Sequence, residues 1–258
     1  MNRKYRKTVI AGNWKMHKTV SETRDFLETL KSALPRTRRC SVVLCVPYTV
    51  IPAAGKHLKD SSRISIGAQN LHWSEEGAFT GEISPSMLAE LDVKYVIVGH
   101  SERRKLFGES DLDVNRKTKA ALNAGLRPIL CVGEDRMQRE LNVSSEHVAC
   151  QLKAALSGIS PEEVRKVIIA YEPVWAGSDE KDASLTQAGP VCTEIRGMLR
   201  TLYGSRTARS TSILFAGPMD ESNASALLDQ EDVDGGLVGE ASLAPDRFLE
   251  IIRAASRE

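Results

Sequence analysis

Three side chains that could carry proton-transfer chemistry lie far apart in this sequence. Lys15, His100 and Glu172 each come just after a short apolar run. A carboxylate can act as a general base, an imidazole can donate a hydrogen bond, and an ammonium group can stabilise a developing negative charge. If the three runs are parallel strands of one barrel, their carboxyl ends meet at one mouth and the three side chains share one pocket.

These apolar runs belong to a larger set of short segments rich in Val, Ile and Leu. Such nearly continuous apolar runs are typical of parallel strands that are covered on both faces. The pattern predicts eight strands: Thr8–Gly12, Ser41–Cys45, Ile64–Ala68, Tyr95–Gly99, Arg127–Val132, Val167–Tyr171, Thr211–Phe215 and Asp234–Val238.

Helical patterns lie between the predicted strands. Examples are Ser21–Leu34, Asp113–Ala124, Glu146–Leu156, Thr186–Tyr203 and Pro245–Ala255. Ser160 followed by Pro161 and two acidic residues predicts a helix start, with Ser160 as the N-cap. No linker rich in Ser, Gly or Pro interrupts the alternation, so we expect one domain over residues 1–258.

Alternation of strands and helices favours an α/β protein with a closed (β/α)8 TIM barrel over an open doubly wound sheet. The open sheet is disfavoured because no GxGxxG motif follows the first strand, so a dinucleotide site would lack its phosphate loop. The length of 258 residues suits such a barrel.

The composition is that of an ordinary soluble globular protein. A formal net charge of +1, with 41% hydrophobic and 27% charged residues, gives no indication of a nucleic-acid or membrane partner. The five cysteines form no CxxC pair and no zinc-ligand spacing, which predicts reduced thiols in a cytoplasmic protein. No apolar run approaches the length of a membrane span.

Segments around the three side chains carry a family resemblance. They read AGNWKM at residues 11–16, GHSERR at 99–104 and AYEPVW at 170–175, and further matching segments are GAQN at 67–70, GAFTGEIS at 77–84, FGES at 107–110 and CVGE at 131–134. In this order, each near the end of a predicted strand, they resemble the triosephosphate isomerase family across essentially the whole chain. The resemblance implies a TIM-barrel isomerase of glycolysis and gluconeogenesis. It would interconvert glyceraldehyde 3-phosphate and dihydroxyacetone phosphate without a metal or an organic cofactor.

The resemblance also assigns roles to five residues. Glu172 would be the base that removes a proton from carbon, and His100 the electrophile that polarises the carbonyl group. Lys15 would stabilise the enediolate, Asn13 would orient the same oxygen or hold Lys15, and Glu102 would support Lys15 and His100. This family is a known case of a histidine kept neutral by a helix N-terminus, and His100 precedes a predicted helix start.

The segment from Gln69 to Ser84 is predicted to be a long loop. Long ordered loops usually have a function. In the family this loop docks into a neighbouring subunit, and the residue that matches Thr80 reaches the partner's active site. The resemblance therefore implies a homodimer, and the alternative is a loop that covers its own barrel.

Three loops depart from the family at its phosphate-binding corner. The segment WAGSDEKDA at residues 175–183 replaces the usual WAIGTGKTA, FAGPM at 215–219 replaces YGGSV, and LVGEAS at 237–242 replaces LVGGAS. The phosphate-binding residues that the resemblance implies are Ser178, Gly217, Pro218, Gly239 and Glu240.

Each departure has a physical consequence for a bound phosphate. Pro218 offers neither a hydroxyl nor a backbone N–H group. A Glu240 carboxylate that pointed inward at about 5 Å would repel each unit of phosphate charge by roughly 3 kcal/mol at an effective dielectric constant of about 20. Pointing outward, it would still offer its backbone N–H. Gly177 would leave Glu172 more hydrated than a bulky lid residue would.

Three functions stay open at this point. The chain could be a triosephosphate isomerase with unusual phosphate loops, or a related isomerase whose substrate is different or lacks phosphate. It could also be a scaffold of the same fold with little or no catalysis.

Overall fold

Eight parallel strands close into a barrel in sequence order, β1 to β8, which confirms the predicted fold. The computed structural model describes residues 5–36, 39–59, 63–176 and 181–256, and the side chains of residues 181–184 are not part of this description. The strands are β1 Thr8–Asn13, β2 Cys40–Val46, β3 Ile64–Ala68, β4 Tyr95–Val98, β5 Arg127–Val132, β6 Ile168–Tyr171, β7 Ile213–Phe215 and β8 Gly235–Val238.

Helices connect the strands around the outside of the barrel. They are α1 Val20–Ala33, α2 Ile51–Leu58, α3 Pro85–Glu90, α4 Ser101–Phe107, α5 Asp111–Asn123, α6 Arg136–Glu140, α7 Ser144–Ala155, α8 Pro161–Val164, α9 Lys181–Ser210, α10 Ala224–Asp229 and α11 Pro245–Ala255, with single 3-10 turns at Tyr48–Val50 and Glu240–Leu243.

Alternate strand residues supply two separate apolar layers, because successive side chains of a strand point to opposite faces. One layer fills the barrel and includes Val9, Ile97 and Leu214, whereas the other lies between strands and helices and includes Ile10 and Val98. Both faces of the strands are therefore buried. This explains why the strand sequences are continuously apolar instead of alternating.

Close packing of β5 against β6 fixes the backbone of Glu172. The Glu172 N–H donates to the carbonyl oxygen of Val132 at 2.8 Å. A Cβ on Gly133 would lie 1.7 Å from the Glu172 carbonyl oxygen, so a side chain there would displace the strand end. This glycine lets the chain that carries Glu172 approach β5 closely.

Helix boundaries agree with the sequence prediction to within two residues in most cases. The helix at Pro245–Ala255 has the predicted limits, and Ser160 caps α8 with its side chain accepting from the Glu163 N–H. The predicted helix Thr186–Tyr203 begins too late, because α9 starts at Lys181, but its predicted end is confirmed, because the helix breaks at Gly204 and a second helical segment continues to Ser210. Its residue Gly204 has φ 80°, a left-handed break that only glycine adopts easily.

Within the described parts of the chain, no helix has both the length and the apolar character that crossing a membrane requires.

Candidate active site

Lys15, His100 and Glu172 line one cavity at the carboxyl ends of the strands. Its volume is about 510 Å³, and Asn13, Ser101 and Pro173 also line it. The far wall comes from the loops after β7 and β8 and from the first turn of α11. Three side chains from β1, β4 and β6 therefore face a common space in which a small molecule could bind.

The loop after β1 holds the backbone of Lys15 in an unusual conformation. Lys15 has φ 52°, a left-handed value that a residue with a side chain adopts only when its surroundings enforce it. The Asn13 Oδ1 atom accepts from the Lys15 N–H at 3.1 Å, and Gln69 Nε2 donates to the Lys15 carbonyl oxygen at 2.9 Å. These two side-chain contacts enforce the turn and aim Lys15 at the cavity.

Glu102 pairs with the ammonium group of Lys15. The distance from Lys15 Nζ to Glu102 Oε1 is 2.6 Å, and the two side chains are 43% and 44% exposed. An ion pair so exposed contributes at most about 1 kcal/mol to stability. The contact places Glu102 beside Lys15, and its supporting role stays a prediction.

His100 is the N-cap residue of α4 and is buried. Its Nδ1 atom accepts from the Glu102 N–H at 3.3 Å. A neutral imidazole that accepts at Nδ1 carries its proton on Nε2. The Nε2 atom lies 3.5 Å from Glu172 Oε1, so the ring N–H and the Glu172 carboxylate lie side by side.

Ser101 holds both oxygens of the Glu172 carboxylate. The Ser101 N–H donates to Oε2 at 3.0 Å and the Ser101 hydroxyl donates to Oε1. Sequence reasoning gave Ser101 no role beyond the start of α4. Both oxygens accept a hydrogen bond from Ser101, so this residue fixes the orientation of the carboxylate at the edge of the cavity.

Behind Glu172, a buried carboxylate anchors Trp175. Glu134 accepts from Trp175 Nε1 at 2.7 Å and from the Tyr171 hydroxyl at 3.1 Å. Burial, and then the neighbouring Glu134 charge, raise the pKa of Tyr171 well above its usual range, so it stays a donor. The Arg139 guanidinium stacks 3.8 Å from the centre of the Trp175 ring. Trp175 is thereby fixed just before residues 177–180.

The opposite wall contains four of the predicted phosphate-binding residues: Gly217, Pro218, Gly239 and Glu240. Within the described ranges, the N–H groups of Gly217, Gly239 and Glu240 have no protein acceptor. Ser178 and Gly177, which the sequence also singled out, lie outside the described residues.

The side chain of Glu240 turns away from the cavity. It is 90% exposed, and its Oε1 atom lies 3.6 Å from the Arg247 guanidinium. Of the two orientations that the sequence left open, the structure has the outward one. The strong repulsion expected of an inward carboxylate is therefore avoided, and Glu240 stays among the residues that line the cavity.

Known proteins are similar to this chain over nearly its whole length. The sequence model described as triosephosphate isomerase matches residues 8–255. The chain is 47% identical over 248 residues to the triosephosphate isomerase of Acetivibrio thermocellus, covering 96% of this chain and 98% of that protein.

The chain belongs to the triosephosphate isomerase family. It is also 44% identical to the triosephosphate isomerase of Alkaliphilus metalliredigens and 42% identical to that of Lactobacillus helveticus, covering 96% of this chain in each case and 99% and 98% of those proteins. Membership in the triosephosphate isomerase family makes the chain an isomerase, and it implies a small phosphorylated sugar as substrate.

In this member of the triosephosphate isomerase family, the sequence gave no indication of a role for two further residues at the site. Glu134 lies in the CVGE segment, which suggested only the resemblance. Arg247 gave no signal at all, because a single arginine early in an amphipathic helix is usually a solvated surface residue.

Proposed function

We propose that the protein interconverts glyceraldehyde 3-phosphate and dihydroxyacetone phosphate by proton transfer through an enediolate. The observation that carries this proposal is the convergence of Lys15, His100 and Glu172 on one cavity at the mouth of the barrel. Moving a carbonyl group to the neighbouring carbon requires removal of a proton from one carbon and its return to the other. A base, an electrophile and a cation suffice for that chemistry.

Glu172 acts as the base in this scheme. In the free protein its carboxylate rests on Ser101, close to the imidazole of His100. A bound substrate would place its carbon in the cavity beside this carboxylate, and Glu172 would exchange the Ser101 contacts for the carbon-bound proton. Pro173 follows directly and fixes φ at the next position of the turn.

His100 and Lys15 stabilise the charge that develops on oxygen. A neutral His100 can donate Nε2–H to the substrate carbonyl, because Nδ1 already accepts the Glu102 N–H. The Lys15 ammonium group supplies a positive charge near the same oxygen, and Asn13 holds the Lys15 backbone. Preorganised donors of this kind typically contribute 10²–10³-fold each to the rate.

Backbone N–H groups bind the phosphate in this proposal. Gly217, Gly239 and Glu240 line the cavity wall opposite Glu172. Their N–H groups have no acceptor within the described residues, so they are available to phosphate oxygens. Pro218 contributes no N–H group, and Ser178 stays a predicted phosphate ligand. In this scheme the loops after β7 and β8 bind phosphate through their backbone, although Pro218 brings no side-chain hydroxyl.

We also propose that the protein acts as a cytoplasmic homodimer. The loop from 69 to 84 packs on itself, with the His72 ring 4.0 Å from that of Phe79, and presents Thr80 to solvent. Met16 is 94% exposed and Phe79 is 43% exposed. A partner that covers such apolar side chains lowers the free energy, because it removes apolar surface from water. These exposed groups support docking of the loop into a second copy.

Turnover of glyceraldehyde 3-phosphate by the purified protein tests the proposed function. Dihydroxyacetone phosphate formation is followed with a coupling dehydrogenase, and Glu172→Gln, prepared identically, controls for contaminating isomerase. We expect fast wild-type turnover and a loss of about 10²–10⁴-fold or more in the variant. Wild-type turnover no faster than that of Glu172→Gln would overturn the proposal.

A further inference from the structure

The wall of the cavity at the predicted phosphate end carries an unusual concentration of charge. Arg247, in the first turn of α11, lines the cavity together with Asp220 and Glu240. Glu221 is the next residue after Asp220 and bonds to Arg247. One guanidinium group therefore lies among three carboxylates beside the space in which a dianionic phosphate would bind.

Contacts of Arg247 show how this charge is arranged. Its Nε atom donates to both oxygens of Glu221, at 2.9 Å and 3.0 Å, and its Nη1 atom lies 3.6 Å from Glu240. The hydrogen bond to Glu221 and then the charges of Glu221, Glu240 and Asp220 raise the pKa of Arg247, so it remains a cation. Glu221 thus anchors the guanidinium, which lies within ion-pair distance of the Glu240 carboxylate.

Glu240 stands where the family usually has glycine, and its backbone N–H is one of the available phosphate donors. The Glu240 carboxylate lies on a flexible side chain, three bonds from its Cα atom, and could rotate toward the phosphate if nothing held it. Even when it points outward, an uncompensated charge at this position repels a dianion across the short distance to the cavity. The chain therefore needs a cation here if it is to bind a phosphorylated substrate well.

We propose that Arg247 is a positioning residue for substrate binding: it keeps the Glu240 carboxylate turned away from the phosphate end of the cavity and offsets its charge. This inference rests on the proposed function and adds a specificity-determining pair to it. Arg247 acts through Glu240 and does not itself have to touch the substrate. Glu221 fixes the position from which it acts.

A double-mutant cycle on Arg247 and Glu240 tests this inference. Arg247→Gln should raise the KM for glyceraldehyde 3-phosphate about three- to tenfold, the range expected when a solvent-exposed charge repels a dianion, and change kcat less than about twofold. In the Glu240→Gly background, the same substitution should change KM less than about twofold. Raising the salt concentration from about 0.1 M to 1 M should shrink the Arg247→Gln effect, because screening shortens from about 10 Å to 3 Å.

Arg253 provides a matched control, because it lies on the same helix and pairs with Glu250, outside the cavity lining. Arg253→Gln removes the same charge from α11 and should leave KM unchanged. Equal increases of KM in Arg247→Gln with and without Glu240 would overturn the inference, since Arg247 would then act on the substrate directly or through the fold. A KM that does not respond to Arg247→Gln would also overturn it.

Calorimetric binding of inorganic phosphate separates a failure of this inference from a failure of the proposed function. If the wild-type protein does not turn over glyceraldehyde 3-phosphate, the proposed function fails. The affinity for phosphate still shows whether Arg247 and Glu240 act together on a bound anion. Weaker phosphate binding in Arg247→Gln that is restored by adding Glu240→Gly supports the inference. Absent phosphate binding in the wild type, or an affinity that is indifferent to Arg247, overturns it.

Discussion

Replacement of Glu134 tests whether a buried carboxylate anchors the segment that carries the proposed base. Glu134 is 1% exposed and accepts hydrogen bonds from Trp175 Nε1 and the Tyr171 hydroxyl. Glu134→Leu fills a similar volume but leaves two buried donors without an acceptor. Glu134→Gln keeps one acceptor oxygen on the same stem, removes the charge and replaces the second oxygen by an amide NH2 group.

The expected loss of stability follows from these contacts. Each buried donor left unsatisfied costs about 1–3 kcal/mol, and removal of a buried charge returns part of this cost. We therefore expect Glu134→Leu to lower the free energy of unfolding by about 2–4 kcal/mol, which corresponds to a Tm lower by about 4–16 °C. Glu134→Gln should cost about 1 kcal/mol or less, because the acceptor for Trp175 survives.

Urea denaturation followed by circular dichroism measures both variants, with exposed Glu140→Leu as the control for an added leucine. The control should shift the free energy of unfolding by less than about 0.5 kcal/mol. Equal losses of unfolding free energy in Glu134→Leu and Glu134→Gln would show that the hydrogen bonds of Glu134 do not cause the loss. In that case the charge of Glu134, which lies 3.9 Å from Arg139 Nη1, would matter more than its hydrogen bonds.

Three other substitutions have defined expectations. Lys117→Met should lower the free energy of unfolding by about 3–5 kcal/mol, because it leaves the buried Glu109 carboxylate without one of its cations. A loss below about 1 kcal/mol, measured by urea denaturation, would contradict this expectation. Lys15→Met should lower kcat/KM at least about 100-fold while changing stability by less than about 1 kcal/mol, because its pair with Glu102 is half exposed; a parallel fall in both would indicate a structural role. Burial raises the pKa of Cys45 to about 12 from its ordinary 9.0, so the native state keeps a proton that the unfolded chain loses above about pH 9. The free energy of unfolding should therefore fall as pH rises toward 12, and Cys45→Ala should reduce this slope; an unchanged slope would contradict the assignment.

Much of the fold could be predicted because the sequence repeats the same physical signal. Strands such as Ile64–Ala68 and Arg127–Val132 are buried on both faces, so their apolar runs mark them within a residue or two. The start of α11 follows from Pro245 at the first helical position. The end of the first part of α9 at Gly204 was predicted, but the helical segment from 205 to 210 was not, because a glycine that ends a helix gives no sign that another helical segment follows.

The candidate site was predictable only as far as strand ends and motifs determine it. Lys15, His100 and Glu172 follow directly from their positions after β1, β4 and β6. The contact that holds Glu172 on Ser101 depends on how two loops distant in sequence approach each other, which no local pattern encodes. The contact between Glu240 and Arg247 was not predictable, because it depends on how α11 packs against the barrel.

Deuterium incorporation from D2O tests whether Glu172 is the base that moves the proton between the two carbons. A proton taken by Glu172 can exchange with solvent before it returns to carbon. Glyceraldehyde 3-phosphate is converted in D2O, and the product is analysed by NMR. We expect deuterium to enter carbon 1 of dihydroxyacetone phosphate at a rate that depends on the enzyme and falls with Glu172→Gln at least about 100-fold. Fast conversion with no deuterium in the product, or incorporation that is equally fast in Glu172→Gln, would contradict it.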